Sequence, residues 1–390
     1  MCEGLVTLFL CGDVMLGRGI DQILPHPGDP ALREPWVRDA RDYVALAETV
    51  AGPVPRPVGF TWPWGAALGL LDEVAPDARI INLETCVTRG GVFAPGKGVH
   101  YRMSPDNLPC LAAVRPDVCV LANNHVLDFG RRGLTDTLAV LTGAGLRTAG
   151  AGRTADEARR PAAVPLRGGG RVLVFSCGLA SSGVPHGWAA TGDRAGVDFA
   201  AEPSDAVAAR IVDRVRRMRR PGDIVVVSLH WGPNWGFGVS RDEVRFAHAL
   251  VDGGVDVVHG HSSHHPRPIE VHRGRPILYG CGDFVDDYEG IGGHERYRDD
   301  LRLLHLVTVE ADTGTSVDVR MVPFRARRMR LEGASDEDAE WLRTVLERAG
   351  RRFGSRVDRD RDGALVLRLP VGGCGGRGHG RGRGRDPEGC

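Results

Sequence analysis

The sequence predicts an α/β domain built around a mixed sheet, and three observations carry that reading. Short β-branched or Leu-rich runs recur along the chain, each followed by a polar turn and then a helical pattern. The polar clusters that carry chemistry fall directly after those runs, where open α/β sheets bind their ligands. With 390 residues, 42% of them hydrophobic and 26% charged, the chain has material for at least one large core.

Taken in order, the first run is Val6 to Leu10. The segment ahead of it carries Glu3 instead of a basic n-region, and the apolar stretch is too short for a signal peptide or a membrane span, so it reads as the first strand. Pro25 to Pro63 is rich in Pro, Gly and Trp, lacks a clear period, and is expected to be a long surface loop near a site. Ala78 to Leu83 and Val118 to Ala122 read as the next strands, followed by an amphipathic helix from Gly133 to Ala144. The Gly-rich Thr148 to Gly152 lacks the order of a phosphate-binding loop and reads as a tight turn. Strands at Arg171 to Ser176, Ile224 to His230, Val255 to His259 and Pro276 to Tyr279 follow, with a second patternless stretch at Ser181 to Asp198 and a helix from Arg241 to Asp252. Ser335 to Ala349 reads as a capped amphipathic helix with acids in its first turn. The expected organisation is a main domain over 1–330, a helical appendage over 331–370, and a disordered Gly/Arg-rich tail over 371–390 that has too little apolar surface to offset its ordering entropy.

Composition narrows the partners. Lys plus Arg equals Asp plus Glu at 50 each, so no bulk field draws the protein to nucleic acid or to an anionic membrane, and recognition must come from a local site. The chain offers no run of about 18 apolar residues that a membrane helix needs. A cytoplasmic location is therefore expected, and nine cysteines, an odd number without a C-x-x-C pair and mostly single in apolar segments, fit reduced buried thiols.

Five polar clusters stand at strand ends: Gly12-Asp13, Asn82-Leu83-Glu84, Asn123-Asn124-His125, His230-Trp231-Gly232 and His259-Gly260-His261-Ser262-Ser263-His264-His265. Together they supply carboxylate, amide and imidazole, a donor set suited to divalent Mn, Fe, Zn or Ni, and no clustered thiolates for a closed structural zinc site.

In that order, and with Pro268-Ile269-Glu270 and the Ile277 to Phe284 stretch, these motifs resemble the CapA family of bacterial capsule and poly-gamma-glutamate biosynthesis proteins, within the calcineurin-like metallophosphatases. The resemblance covers roughly Leu5 to Phe324. It implies a four-layer α/β/β/α sandwich of two mixed sheets flanked by helices, holding two divalent metal ions. Matched residue by residue, it implies that Asp13, Glu84 and His264 hold the first ion, with Glu84 where the bridging acid usually stands, and that Asn124, His230 and His261 hold the second. His125 matches the group that protonates the leaving group, and an imidazole is a sensible acid near neutral pH. Two positions depart from the phosphatase pattern: Met15 stands where a His usual to such enzymes would be, and Asn82-Leu83-Glu84 replaces Gly-Asp-x-x-Asp.

The implied activity is metal-dependent hydrolysis of a phosphate ester or related anionic substrate; the alternative is a non-hydrolytic accessory protein for assembly of an anionic polymer. Candidate substrate contacts are Arg18, Asn123, Arg102 and Asp283, with Lys97 as a further cation for an anion. His265, Asp283, Asn123 and Asn234 are candidate substitutes or supports for the ligands. Trp231 and Trp235 either wall the pocket or pack in the core.

Overall fold

The computed structural model describes residues 4–369. Its first sheet runs in the order Val357–Arg359, Leu365–Leu367, Ser316–Ala326, Leu301–Glu310, Leu5–Val14, Ala78–Leu83, Val118–Val120, Arg147–Ala149. The four strands at the Arg147–Ala149 end are parallel, and the long Leu301–Glu310 and Ser316–Ala326 strands join them antiparallel. The second sheet runs Phe199–Ala200, Arg171–Leu179, Ile224–His230, Val257–His261, Arg275–Leu278, Ile269–His272, parallel except at the last pair.

Side chains on a strand alternate between faces, so each strand here serves two cores. Leu8, Leu10, Ile80, Val118 and Val120 from the first sheet meet Val172, Val174, Ile224, Val226 and Val257 from the second in one inter-sheet core. The intervening Phe9, Cys11, Ile81 and Cys119 face outward onto helices that bring Ile20, Val44, Leu71, Leu111 and Leu138. On the far side Leu173, Phe175, Val225 and Val227 meet Ile211, Val215, Phe246 and Leu250 of the helices Asp205–Met218 and Arg241–Asp252. Strands apolar on both faces are what a sheet covered on both sides requires. The result is the expected four layers, helix, sheet, sheet, helix.

Two sequence expectations change. The Pro25 to Pro63 stretch is not all loop: Arg41–Ala51 is a helix that buries Tyr43, Val44 and Ala47. Three buried positions between prolines leave too short a period to read. The 331–370 segment is not solely a helical appendage. Its helix Asp336–Gly350 carries a capping box between Ser335 and Asp338. Leu331–Gly333 also pairs with Ser316–Ala326, and the Val357–Arg359/Leu365–Leu367 hairpin extends the first sheet. Leu342, Leu346, Val357 and Leu365 sit in the inter-sheet core, so residue 330 marks no boundary. Three-residue strands carry too little alternation to announce themselves. The expected disordered tail over 371–390 lies outside the described residues.

Candidate metal centre

The inter-sheet layer turns polar toward the carboxyl ends of its strands. On the inward face Ile80 is followed by Asn82 and Glu84, Val226 by Ser228 and His230, and Val257 by His259 and His261. In the first strand the same face is reached through a β-bulge. Cys11 pairs with Ile81 and Asp13 with Asn82, leaving Gly12 as the extra residue that re-aims Asp13 inward. Only glycine fits there, because a Cβ would collide with the Gly282 carbonyl. Gly282 in turn accepts the Asp13 N–H at 3.1 Å and brings Asp283 alongside Asp13. Ser228 and His230 register with His259 and His261 across the second sheet.

The side chains converge closely. Asn82 Nδ2 donates to Asp13 Oδ1 at 2.7 Å and to Glu84 Oε2 at 2.9 Å, holding the two carboxylates side by side. Glu84 Oε1 lies 3.7 Å from His230 Nε2 and 3.8 Å from His125 Nε2. His261 Nδ1 is 3.8 Å from Asp13 Oδ1 and 2.8 Å from His230 Nδ1, and His230 Nε2 is 3.1 Å from Asn124 Oδ1. His264 Nδ1 faces both oxygens of Asp283, at 2.9 and 3.1 Å. Two groupings emerge, Asp13 with His230 and His261, and Asp13 with His264 and Asp283, in each of which one ligand atom per residue lies within 4.8 Å of the others.

The imidazole protons can be placed by elimination. The Cys11 carbonyl accepts from His259 Nε2 at 2.9 Å, so neutral His259 has its lone pair on Nδ1. That lone pair takes the Ser228 hydroxyl proton at 3.1 Å, and the Ser228 oxygen therefore accepts from His261 Nε2 at 2.9 Å. His261 presents a bare Nδ1 to the site. With Asn124 Oδ1 facing His230, either tautomer of neutral His230 leaves one contact between two lone pairs, at His261 or at Asn124. Asp13 Oδ2 is buried and lacks a hydrogen-bond partner. The unpartnered Asp13 Oδ2 and the one lone-pair contact left at His230 are acceptors without a donor, and such a pocket fits a cation.

Electrostatics say the same. Burial, then the neighbouring Asp283, pushes Asp13 up to about 7; burial likewise lifts Asp283 to about 7. Glu84 is raised by burial and by Asp13. Burial pulls His230, His261 and His264 down, keeping them neutral. Crowded buried carboxylates beside neutral imidazoles are stabilised by a divalent ion between them. The Ser262 backbone, at φ 98°, holds the His261 to His264 turn in a conformation side chains rarely adopt, at a cost of about 1–3 kcal/mol.

His125 stands at the rim. Its Nδ1 is 2.6 Å from Asp128 Oδ2, so the proton there points to the carboxylate and Nε2 is turned toward Glu84. Burial lowers His125 to about 4, against the pull of Asp128. Lys97 is engaged with the Asn124 carbonyl and with Asp128 Oδ1 at 2.5 Å. Asn123 spends its amide on Asn82 and Leu83 and its oxygen on the His125 and Val126 N–H groups, so it shapes the turn that presents Asn124 and His125.

Other expected contacts fall elsewhere. Arg18 is 3% exposed and locked to Asp287 and Glu34 beneath Tyr43 and Tyr101, which leaves no free guanidinium edge for substrate. Arg102 lies over Phe129 and pairs with Asp29 at 3.0 Å. Both are engaged because each has a carboxylate neighbour that the linear sequence does not reveal. Asp283 sits with the ligands, beside His264 and Asp13. Trp231 is fully buried against Phe246 and Tyr279, a core residue, whereas Trp235 stacks between His265 and His294 next to His264. His265 Nε2 accepts the Gly236 N–H, and the Asn234 carbonyl accepts the His264 N–H. Asp128 and Ser228 escaped the sequence reading, and His259 was named in its cluster without a role. The first lies three residues after His125, the others two residues before His230 and His261, and those spacings were the available signal.

Layers and cradle together define an α/β sandwich with a candidate divalent-metal centre between its two sheets. The chain belongs to the family described as bacterial capsule synthesis protein PGA_cap, whose model matches residues 7–288. A probable polyglutamine synthesis accessory protein of Mycobacterium tuberculosis is 57% identical over 353 residues, covering 90% of this chain and 93% of the relative. The PGA biosynthesis protein CapA of Bacillus subtilis is 27% identical over 73% of this chain and 64% of its own length. A 5'-nucleotidase precursor from Thermus thermophilus aligns at a TM-score of 0.44 and 15% identity over 89% of this chain and 59% of its own, too loosely to carry any argument. Among the described residues no helix is long and apolar enough to cross a membrane.

Proposed function

We propose that the protein is a metal-dependent hydrolase acting on a phosphate ester or related anionic substrate in capsule or poly-gamma-glutamate synthesis, with two divalent ions held by Asp13, Glu84, Asn124, His230, His261, His264 and Asp283. The supporting observation is the His125–Asp128 pair, set at the rim with Nε2 turned toward the donor cluster. Bound divalent ions would supply Lewis acidity and neutralise charge developing on the reacting centre. The chain does the rest. Asp128 fixes the ring and its tautomer; Asn123 fixes the backbone that carries it. An anion docked against Nε2 favours the protonated ring and so loads the proton that His125 passes to the leaving oxygen. The same His125 is largely uncharged without such an anion, since burial holds it low. The expected cytoplasmic setting stays part of this proposal.

Purified protein with Mn²⁺ and a panel of phosphomonoesters and phosphodiesters tests the reading. Turnover should fall by about 10²–10⁴ in His125→Ala and vanish in His230→Ala; activity unchanged in both variants would end it. The words 'accessory protein' in the mycobacterial relative's name and 'PGA biosynthesis' in that of the Bacillus relative favour a second reading, a non-hydrolytic accessory protein for assembly of an anionic polymer. That reading expects poly-gamma-glutamate to bind at low salt, and no affinity there would remove it.

A further inference from the structure

A second group of metal-type donors lies away from the cradle, on the outer edge of the second sheet. The helix Arg241–Asp252 places His248 and Asp252 one turn apart on the same face, and the strand Ile269–His272 places Glu270 and His272 on one face two residues apart. These faces meet. We propose that His248, Glu270 and His272 form a second divalent transition-metal site, of the zinc or nickel kind, with Asp252 at its edge.

One ligand atom from each of His248, Glu270 and His272 lies within 4.8 Å of the other two. His248 Nε2 is 2.7 Å from Glu270 Oε1, and His272 Nε2 is 2.9 Å from Asp252 Oδ1. The two imidazoles stack with centroids 3.8 Å apart and planes 7° from parallel, which leaves their edges side by side. Two imidazoles and a carboxylate make a set that borderline cations prefer, and a fourth position stays open for Asp252 or water. Each histidine–carboxylate hydrogen bond here is a proton in the place a cation would take.

The surroundings fit a site more than a chance surface cluster. Glu270 is braced from behind, since Oε2 accepts the buried Tyr279 hydroxyl at 2.7 Å and Oε1 is thereby turned outward to His248. Bracing of this kind is what orients a metal-ligating carboxylate. The side chains of His248, His272 and Glu270 remain 30%, 21% and 10% exposed, open to ions from solvent. Asp252 is the weaker donor, because Arg273 Nε shares its Oδ1 at 3.1 Å. A cation here clamps helix to strand. Glu270 links such a cation to the core, since the Tyr279 that donates to it stacks on Trp231 with centroids 5.9 Å apart and planes at 11°.

The test uses the full chain and Zn²⁺ alone. Calorimetric titration of an Asp13→Ala variant, weakened in both donor groupings of the central cradle, should show one retained equivalent, and adding His248→Ala or His272→Ala should weaken that equivalent by more than about tenfold. In the otherwise unaltered chain, His272→Ala should lower bound zinc by one equivalent and remove part of the zinc-induced rise in Tm, so the result does not hang on one variant folding. Zinc uptake and Tm response unchanged by His248→Ala and His272→Ala would overturn the proposal. Phosphatase activity plays no part in the readout, so failure of the hydrolase reading leaves this one standing.

Discussion

The two sheets contribute unlike halves of the central cradle. The first sheet brings Asp13, Glu84, Asn124 and, through the strand Asp283–Val285, Asp283; the second brings His230, His261 and His264. Acids and amide come from one side, imidazoles from the other. The acid half by itself is unfavourable, since buried Asp13 and Asp283 sit together with raised proton affinity. In the imidazole half His261 is already wired to a single tautomer through Ser228 and His259, and that wire ends on the Cys11 carbonyl of the opposite sheet. Each half is thus completed by the other, and the cradle exists only where the sheets are packed in register.

Breaking the acid half should have the largest effect. Asp13→Ala removes the residue common to both donor groupings, and divalent affinity should fall by more than about 100-fold, because even a supporting partner is worth about 10–100-fold. The pH dependence has a definite sign. Asp13 and Asp283 titrate near 7 in the fold, above their unfolded values, so their contribution to stability is present at acid pH and is lost as pH rises through about 7. A divalent ion reverses that loss, and Mn²⁺ should raise Tm more at pH 8 than at pH 5.

The packing that brings the halves together comes next. Leu10→Ala, in the inter-sheet core just below the cradle, should cost about 2–5 kcal/mol in denaturant unfolding, and metal affinity should fall with it. A Leu10→Ala protein destabilised but with metal affinity intact would mean that the halves do not depend on sheet packing.

Ser228→Ala sharpens the comparison from the imidazole side. It deletes the hydroxyl between His259 and His261 without touching a ligand, and metal affinity should drop by about 10–100-fold with an unchanged circular dichroism spectrum. The smallest effect belongs to Arg102, which pairs with the exposed Asp29 away from both halves. Arg102→Ala should cost under about 1 kcal/mol and leave metal affinity alone.

Much of this was legible in the linear chain. The strand from Ala78 to Leu83 and the strand from Ile224 to His230 match the runs read from the sequence residue for residue, because parallel strands buried on both faces are rich in Val, Ile and Leu. The helix Arg241–Asp252 likewise followed from its period. Candidate ligands were legible as polar residues ending apolar runs. Less was legible where a contact partner lies far along the chain. Arg18 looked free for an anion, yet Asp287, 269 residues away, takes its guanidinium. Asp283 read as a contact or support, and only pairing of Asp283 to Asp13 across parallel strands puts it in a ligand grouping.

By itself the sequence determined which residue types end each strand and that the central strands are apolar on both faces, because a continuous apolar run is a local property written into the chain. The tertiary structure alone decided that Gly12 bulges to turn Asp13 inward, that Ser228 and His259 set the tautomer of His261, and that acids of one sheet meet imidazoles of the other. Those outcomes depend on distances between segments some 250 residues apart, 249 between Asp13 and Ser262, and no local pattern encodes a distance that only packing creates.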